Sequence, residues 1–155
     1  MPYSRIVESS PILIEVPREI VWAILTDFAR YPLWNTLSAR VECSLRLGEP
    51  VRLWVSDEGI TGKSAIFEHR LLELKRPEHI AWGYAQGEVR TRRDQRLDEA
   101  PEGCVYRTSD TFYGPLADQM MDHMGESISN SFNRLARALR DFAEAGFRHD
   151  GNRRE

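Results

Sequence analysis

Cysteine is scarce: Cys43 and Cys104 are the only two in 155 residues. Two thiols so far apart in the chain exclude a disulfide framework and a thiolate metal site, so buried free thiols are expected. Long apolar runs are missing too. No segment reaches the ~18 apolar residues of a membrane span, and the opening MPYSRIVESS has no apolar stretch after a basic start. A soluble, cytoplasmic protein with no stable membrane insertion is the expectation. Neither sign of charge dominates, since the net charge is −3 and the pI about 5.9. Without a basic field, nucleic acid is not an expected partner, and small molecules are.

Motifs are equally few. The four histidines (His69, His79, His123 and His149) fall in no His-x-Glu or His-x-x-x-His spacing, and there is no Cys-x-x-Cys, so no metal and no cofactor are expected. No Gly-x-Ser-x-Gly elbow or dinucleotide fingerprint occurs. Gly62-Lys63-Ser64 ends like a phosphate loop, but Asp57 holds the upstream glycine position, so it reads as a turn. Arg90, Arg92, Arg93 and Arg96 are mixed with Asp94, Asp98, Glu99 and Glu102, the composition of a solvated strand edge rather than a nucleic-acid groove.

What the sequence does have is periodicity. Met121, Met124, Ile128, Phe132, Leu135, Leu139 and Phe142 recur at steps of three or four, one face of a single helix from Asp118 to Ala145 that would run roughly 40 Å. Gly146 is placed as its end, and the polar residues beyond as a flexible tail, so one domain spans 1–146 and the tail 147–155. Before this helix the chain alternates. Strand spacing is predicted within Arg5–Val16, Leu37–Cys43, Val51–Val55, Lys63–Leu74, Ile80–Tyr84, Val89–Leu97 and Cys104–Tyr113. The turn-rich run Asp98–Gly103 joins the last two as a hairpin. A short helix from Arg18 to Phe28 begins after Pro17 and stops near Tyr31-Pro32. The class is α+β: a curved antiparallel sheet of about six to seven strands around one long helix.

Two strings resemble a known superfamily. Val16-Pro17-Arg18-Glu19-Ile20-Val21-Trp22 through Thr26-Asp27-Phe28, followed by Tyr31-Pro32-Leu33-Trp34-Asn35, is similar to the opening signature of the SRPBCC proteins, which include START and polyketide cyclase/dehydrase members. Asp110-Thr111-Phe112-Tyr113-Gly114-Pro115-Leu116 resembles their entry into the last helix. The resemblance covers 5 to 145 and implies a helix-grip fold with a hydrophobic tunnel between the sheet and the long helix. Many members carry histidine or glutamate at the position Arg93 holds here, which counts against imidazole chemistry.

Alternation assigns the lining. Cys104, Tyr106, Thr108, Asp110 and Phe112 share the inward face of the last strand, and Val89, Thr91, Arg93, Gln95 and Leu97 that of its partner. Arg93 and Asp110 then meet on the concave face, as a structural ion pair or as a catalytic anchor, with Arg93 holding a ligand carboxylate, enolate or phenolate and Asp110 orienting it or acting as base. Trp82, Tyr84, Gln95, Tyr106, Thr108 and Phe112, facing Met121, Met124, Ile128 and Phe132, suit a flat apolar ligand as well as they suit core packing. The pattern changes parity between Ala65 and Leu74, as at a bulge, so the face of the candidate contact His69 stays open. His79 is expected in solvent and His123 beside the tunnel mouth. Trp34 and Asn35 read as structural, and Trp54 as an outer-face aromatic or dimer contact.

Three functions follow: a hydrophobic-ligand protein with polyketide cyclase/dehydratase-like activity, a non-catalytic lipid or isoprenoid carrier or sensor, or a protein-interaction module using the outer sheet face. A monomer or homodimer fits each. Gly125 would let the long helix bend as a lid.

Overall fold

A computed structural model of the chain describes residues 4–56, 64–86 and 89–153. Asp57, Gly62 and Lys63 of the expected turn lie outside them. The elements are β1 (Ser4–Glu8), β2 (Ile12–Ile14), α1 (Arg18–Leu25), a 3-10 turn (Phe28–Leu33), β3 (Arg40–Cys43), β4 (Pro50–Ser56), β5 (Ser64–Lys75), β6 (His79–Gln86), β7 (Val89–Ala100), β8 (Gly103–Tyr113) and α2 (Ala117–Arg153). One antiparallel sheet of eight strands runs β1-β8-β7-β6-β5-β4-β3, with β2 also paired to β8. The helix-grip architecture is as expected, with one strand more. Pro11, which has no N–H to donate, and Ser9-Ser10 split the expected first strand in two along β8.

The long helix passes through Gly146 and continues to Arg153, so the expected helix end at Gly146 is corrected. Nothing lies within 4 Å of a Cβ at Gly146; the glycine costs the helix about 1 kcal/mol of propensity and does not stop it. Its apolar stripe is buried as the period requires, with Phe132, Leu135 and Leu139 almost fully covered. Burying such side chains stabilises the fold by roughly 1.5–3 kcal/mol each. α2 packs on β1, β2 and β8, at one side of the curved sheet.

Two local features position the site. Between Leu71 and Glu73 the β5–β6 register shifts, so Leu71 and Leu74 face inward while Leu72 turns out, 46% exposed. This bulge accounts for the parity change and puts His69 on the inner face with Leu71. At the β7–β8 hairpin, pairing extends to Ala100 and Gly103, so the turn is Pro101-Glu102 alone. A Cβ at Gly103 would lie 2.2 Å from the Ile14 carbonyl oxygen, which excludes any larger residue where β2 crosses the hairpin.

Candidate ligand site

Inward side chains form rows across the strands. One row is Leu71, Trp82, Arg93, Asp110 and Val7, each opposite the next. A neighbouring row holds Val51 and His69, then Tyr84, Thr91 and Phe112, with the His69 and Tyr84 rings 5.5 Å apart. On the other side come Ile80, Gln95 and Thr108. A polar band therefore crosses the floor of an otherwise apolar concave face, and α2 lays Phe132 onto it: the Arg93 guanidinium lies 4.7 Å from the centre of that ring.

Alternation thus places Arg93 and Asp110 directly opposite each other. They form no ion pair. Arg93 Nε donates to Thr108 Oγ1 at 3.1 Å, while Arg93 Nη2 and Asp110 Oδ1 are shut from solvent without a partner. Burial pushes the Asp110 carboxyl up to about 7; the Arg93 charge pulls the other way and Asp94 adds to the rise. His69 is held down to about 4, first by burial and then by Arg93, and its Nδ1 also lacks a partner. Burial thus favours the uncharged form of both groups, the neutral imidazole and the protonated carboxyl.

The other expected contacts divide by burial. Trp82, Tyr106, Phe112 and Phe132 are core side chains, and Gln95 accepts the Tyr106 hydroxyl at 2.5 Å, so its carbonyl is engaged inside the protein. Met121 and Ile128 are buried, Met124 and Tyr84 half-buried. Phe67, on the same face as His69, is 38% exposed, so the concave face opens at that end. Tyr31 was not foreseen as part of this face. Its hydroxyl donates to the Leu25 carbonyl at 2.5 Å, and burial raises its pKa far above the tyrosine range while Arg93 opposes that rise. Its signal was a spacing of three, the period of a 3-10 turn, which sets Phe28, Tyr31 and Trp34 on one side.

His79 overturns its expected place in solvent. Its Nε2 lies 2.6 Å from Asp94 Oδ1 on the outer face, where Arg92 and Arg96 also approach the same carboxylate, and the imidazole is only 11% exposed. His123 is exposed beside Met124, and Cys43 is half-buried where Cys104 is fully buried. Asn35 Oδ1 accepts the backbone N–H groups of Leu37 and Ser38, a structural role as expected. No group of metal-ligating side chains occurs among the described residues.

The outer face carries a groove of about 570 Å³ lined by Arg70, Leu72, Gly83, Arg90, Arg92 and Tyr113. Its cations are engaged: Arg70 with the Gly48 carbonyl, Arg90 over Tyr113, Arg92 with Asp94 and Glu73. Exposed apolar residues there are scattered, Ile6 on β1 and Ile66 on β5 being separated by β8, β7 and β6. Trp54 lies directly opposite Ile66 on the neighbouring strand, under the Arg40 guanidinium at 4.3 Å. The inner face, with its unpartnered polar atoms, is the candidate site.

Residues 5–141 match the family described as polyketide cyclase / dehydrase and lipid transport. Solved structures share the fold. A protein of unknown function from Staphylococcus aureus has a TM-score of 0.72 at 14% identity, covering 95% of this chain and 98% of that one. The Zhui aromatase/cyclase from a Streptomyces species has a TM-score of 0.69 at 19% identity over 92% and 94%. A START superfamily protein from Mycobacterium smegmatis has a TM-score of 0.64 at 20% identity over 93% and 97%. No match is found among curated proteins.

Proposed function

Because the chain belongs to the polyketide cyclase / dehydrase and lipid transport family, we propose that it binds a hydrophobic or aromatic small molecule between the concave sheet face and the long helix. One observation carries the reading: Arg93 Nη2, Asp110 Oδ1 and His69 Nδ1 are polar atoms on one inner face, buried and without partners. Buried polar groups are ordinarily satisfied, so three on one face favour a ligand that satisfies them. Half-buried Met124 and Tyr84 supply a polarisable, aromatic lining beside them.

A second reading, cyclase- or dehydratase-like chemistry, is favoured by Asp110. A carboxyl near pKa 7 can both give and accept a proton at neutral pH, beside a guanidinium able to stabilise an enolate oxygen. The alternative is a carrier or sensor that uses the same contacts without turnover. The proposed setting is cytoplasmic, as a monomer or homodimer without a nucleic-acid partner.

Native mass spectrometry of the protein from its own host, beside Arg93→Ala and Asp110→Ala, tests the reading and reports assembly. A small molecule retained by the parent and lost from both variants is the expected result. Its conversion on incubation, abolished by Asp110→Asn, would favour catalysis, and unchanged mass the carrier. An empty parent that takes up no hydrophobic compound counts against ligand binding altogether.

A further inference from the structure

We propose that Thr108 and Phe132 hold Arg93 as a preset receptor for one oxyanion, so that the site selects a flat apolar ligand carrying a carboxylate, sulfonate, enolate or phenolate over its uncharged analogue. The inference rests on the ligand-binding reading and adds the ligand's charge to it.

Thr108 is only 1% exposed. Its hydroxyl donates its single proton to the Asp94 carbonyl at 3.1 Å, so a lone pair is left facing Arg93 Nε, which donates to it at 3.1 Å. Swinging the hydroxyl away would break both bonds. The backbone beneath is fixed as well: Thr108 N–H donates to Ser9 Oγ at 3.0 Å, and Ser9 N–H to the Thr108 carbonyl at 2.8 Å. With Nε tied and the guanidinium lying over Phe132, the remaining freedom of Arg93 is small, and Nη2 is the donor left without a partner.

Charge balance points the same way. A guanidinium brings one positive charge and five N–H donors to this face. Asp110 does not bond to it, and burial favours the carboxyl's neutral form. His69 is neutral and adds no positive charge. A shielded cation with an unfilled donor is an unfavourable arrangement that an anionic oxygen relieves, through a charge-assisted hydrogen bond that an uncharged ligand cannot match.

The test uses two fluorescent probes of one shape, anilinonaphthalene sulfonate and its uncharged parent N-phenylnaphthylamine, titrated into the full chain. Wild type is expected to bind the sulfonate about tenfold or more tightly than the parent, the ratio a charged hydrogen bond supplies. Thr108→Val should bring the two affinities together, Thr108→Ser should restore the preference, and Arg93→Met should abolish it. Circular dichroism checks that each variant is folded. Uncharged binding with no sulfonate preference, or a preference that survives Thr108→Val, overturns the oxyanion receptor and leaves the hydrophobic site standing. If wild type binds neither probe, the site reading itself fails and the receptor with it.

Discussion

Arg93 and Asp110 lie directly opposite one another on β7 and β8, yet the guanidinium bonds to Thr108 and the carboxyl keeps a buried oxygen without a partner. Burial outweighs attraction here. Opposite charges in contact hold a carboxyl below its ordinary value, whereas Asp110 rises to about 7. Asp110 is thus poised to titrate in the physiological range, and a ligand or a substitution that changes the local charge will move it.

Removing the cation makes that movement measurable. Arg93 lowers the pKa of both Asp110 and His69, so Arg93→Met should raise both. NMR titration of the Asp110 carboxyl carbon and the His69 ring protons would follow this residue by residue. A fall in either, or no change in both, contradicts the electrostatic picture of the site.

Stability should depend on pH through the same two groups, with opposite signs. Asp110 rises from an ordinary 3.8 to about 7, so between these values the folded state binds more proton and its contribution is lost as pH rises. His69 falls from 6.5 to about 4, so the unfolded state binds more proton there and stability is lost as pH falls. The effect is about 4 kcal/mol for Asp110 and about 3 kcal/mol for His69 across their windows, and from pH 4 to 6.5 they nearly cancel. Tyr31 and Tyr106, which burial raises, do not titrate in this range. Urea midpoints relative to wild type should therefore rise with pH in Asp110→Asn and fall with pH in His69→Gln. Parallel curves for the two variants would refute the assignment.

On the outer face Asp94 gathers His79, Arg92 and Arg96 around one largely buried carboxylate. Hydrogen bonds from Arg92 and His79 more than offset its burial and hold its pKa below the ordinary value. This stability is present above that value and lost as pH falls through the lowered one. Asp94→Asn should lower stability by about 1–3 kcal/mol at pH 7, with the gap narrowing in strong acid. Thermal melts at pH 7 and pH 3 measure it, and an equal gap at both would show that the charge is not the cause.

Much of this fold was legible because its signals are periodic. The stripe from Met121 to Phe142 and the alternation of Cys104 to Phe112 each specify a face, and those faces set Arg93 opposite Asp110. What stayed hidden depends on distance rather than period. Alternation names the inner face at Thr108, but it does not say that the hydroxyl, rather than Asp110, takes Arg93 Nε. His79, adjacent to a turn, was expected in solvent because its partner Asp94 is 15 residues away in sequence. Gly146 ended the helix on propensity alone, a preference of about 1 kcal/mol that continued pairing easily overrides.

The same weighing applies to Gly125, within the stretch of α2 that covers the site. A Cβ there would meet Met121 Sδ at 3.7 Å, ordinary contact, so packing does not require a glycine. Alanine should then stabilise the protein by roughly 0.5–1 kcal/mol. Gly83 is the contrast, because a Cβ would fall 2.5 Å from Leu72 Cδ1 and 3.0 Å from the Thr91 carbonyl oxygen, and Gly83→Ala should destabilise. If bending at Gly125 admits ligand, Gly125→Ala should also slow probe association in stopped flow while leaving the dissociation constant nearly unchanged. Stabilisation with an unaltered on-rate would remove the lid and leave a rigid helix, with ligand entering at the open end beside Phe67 and His69.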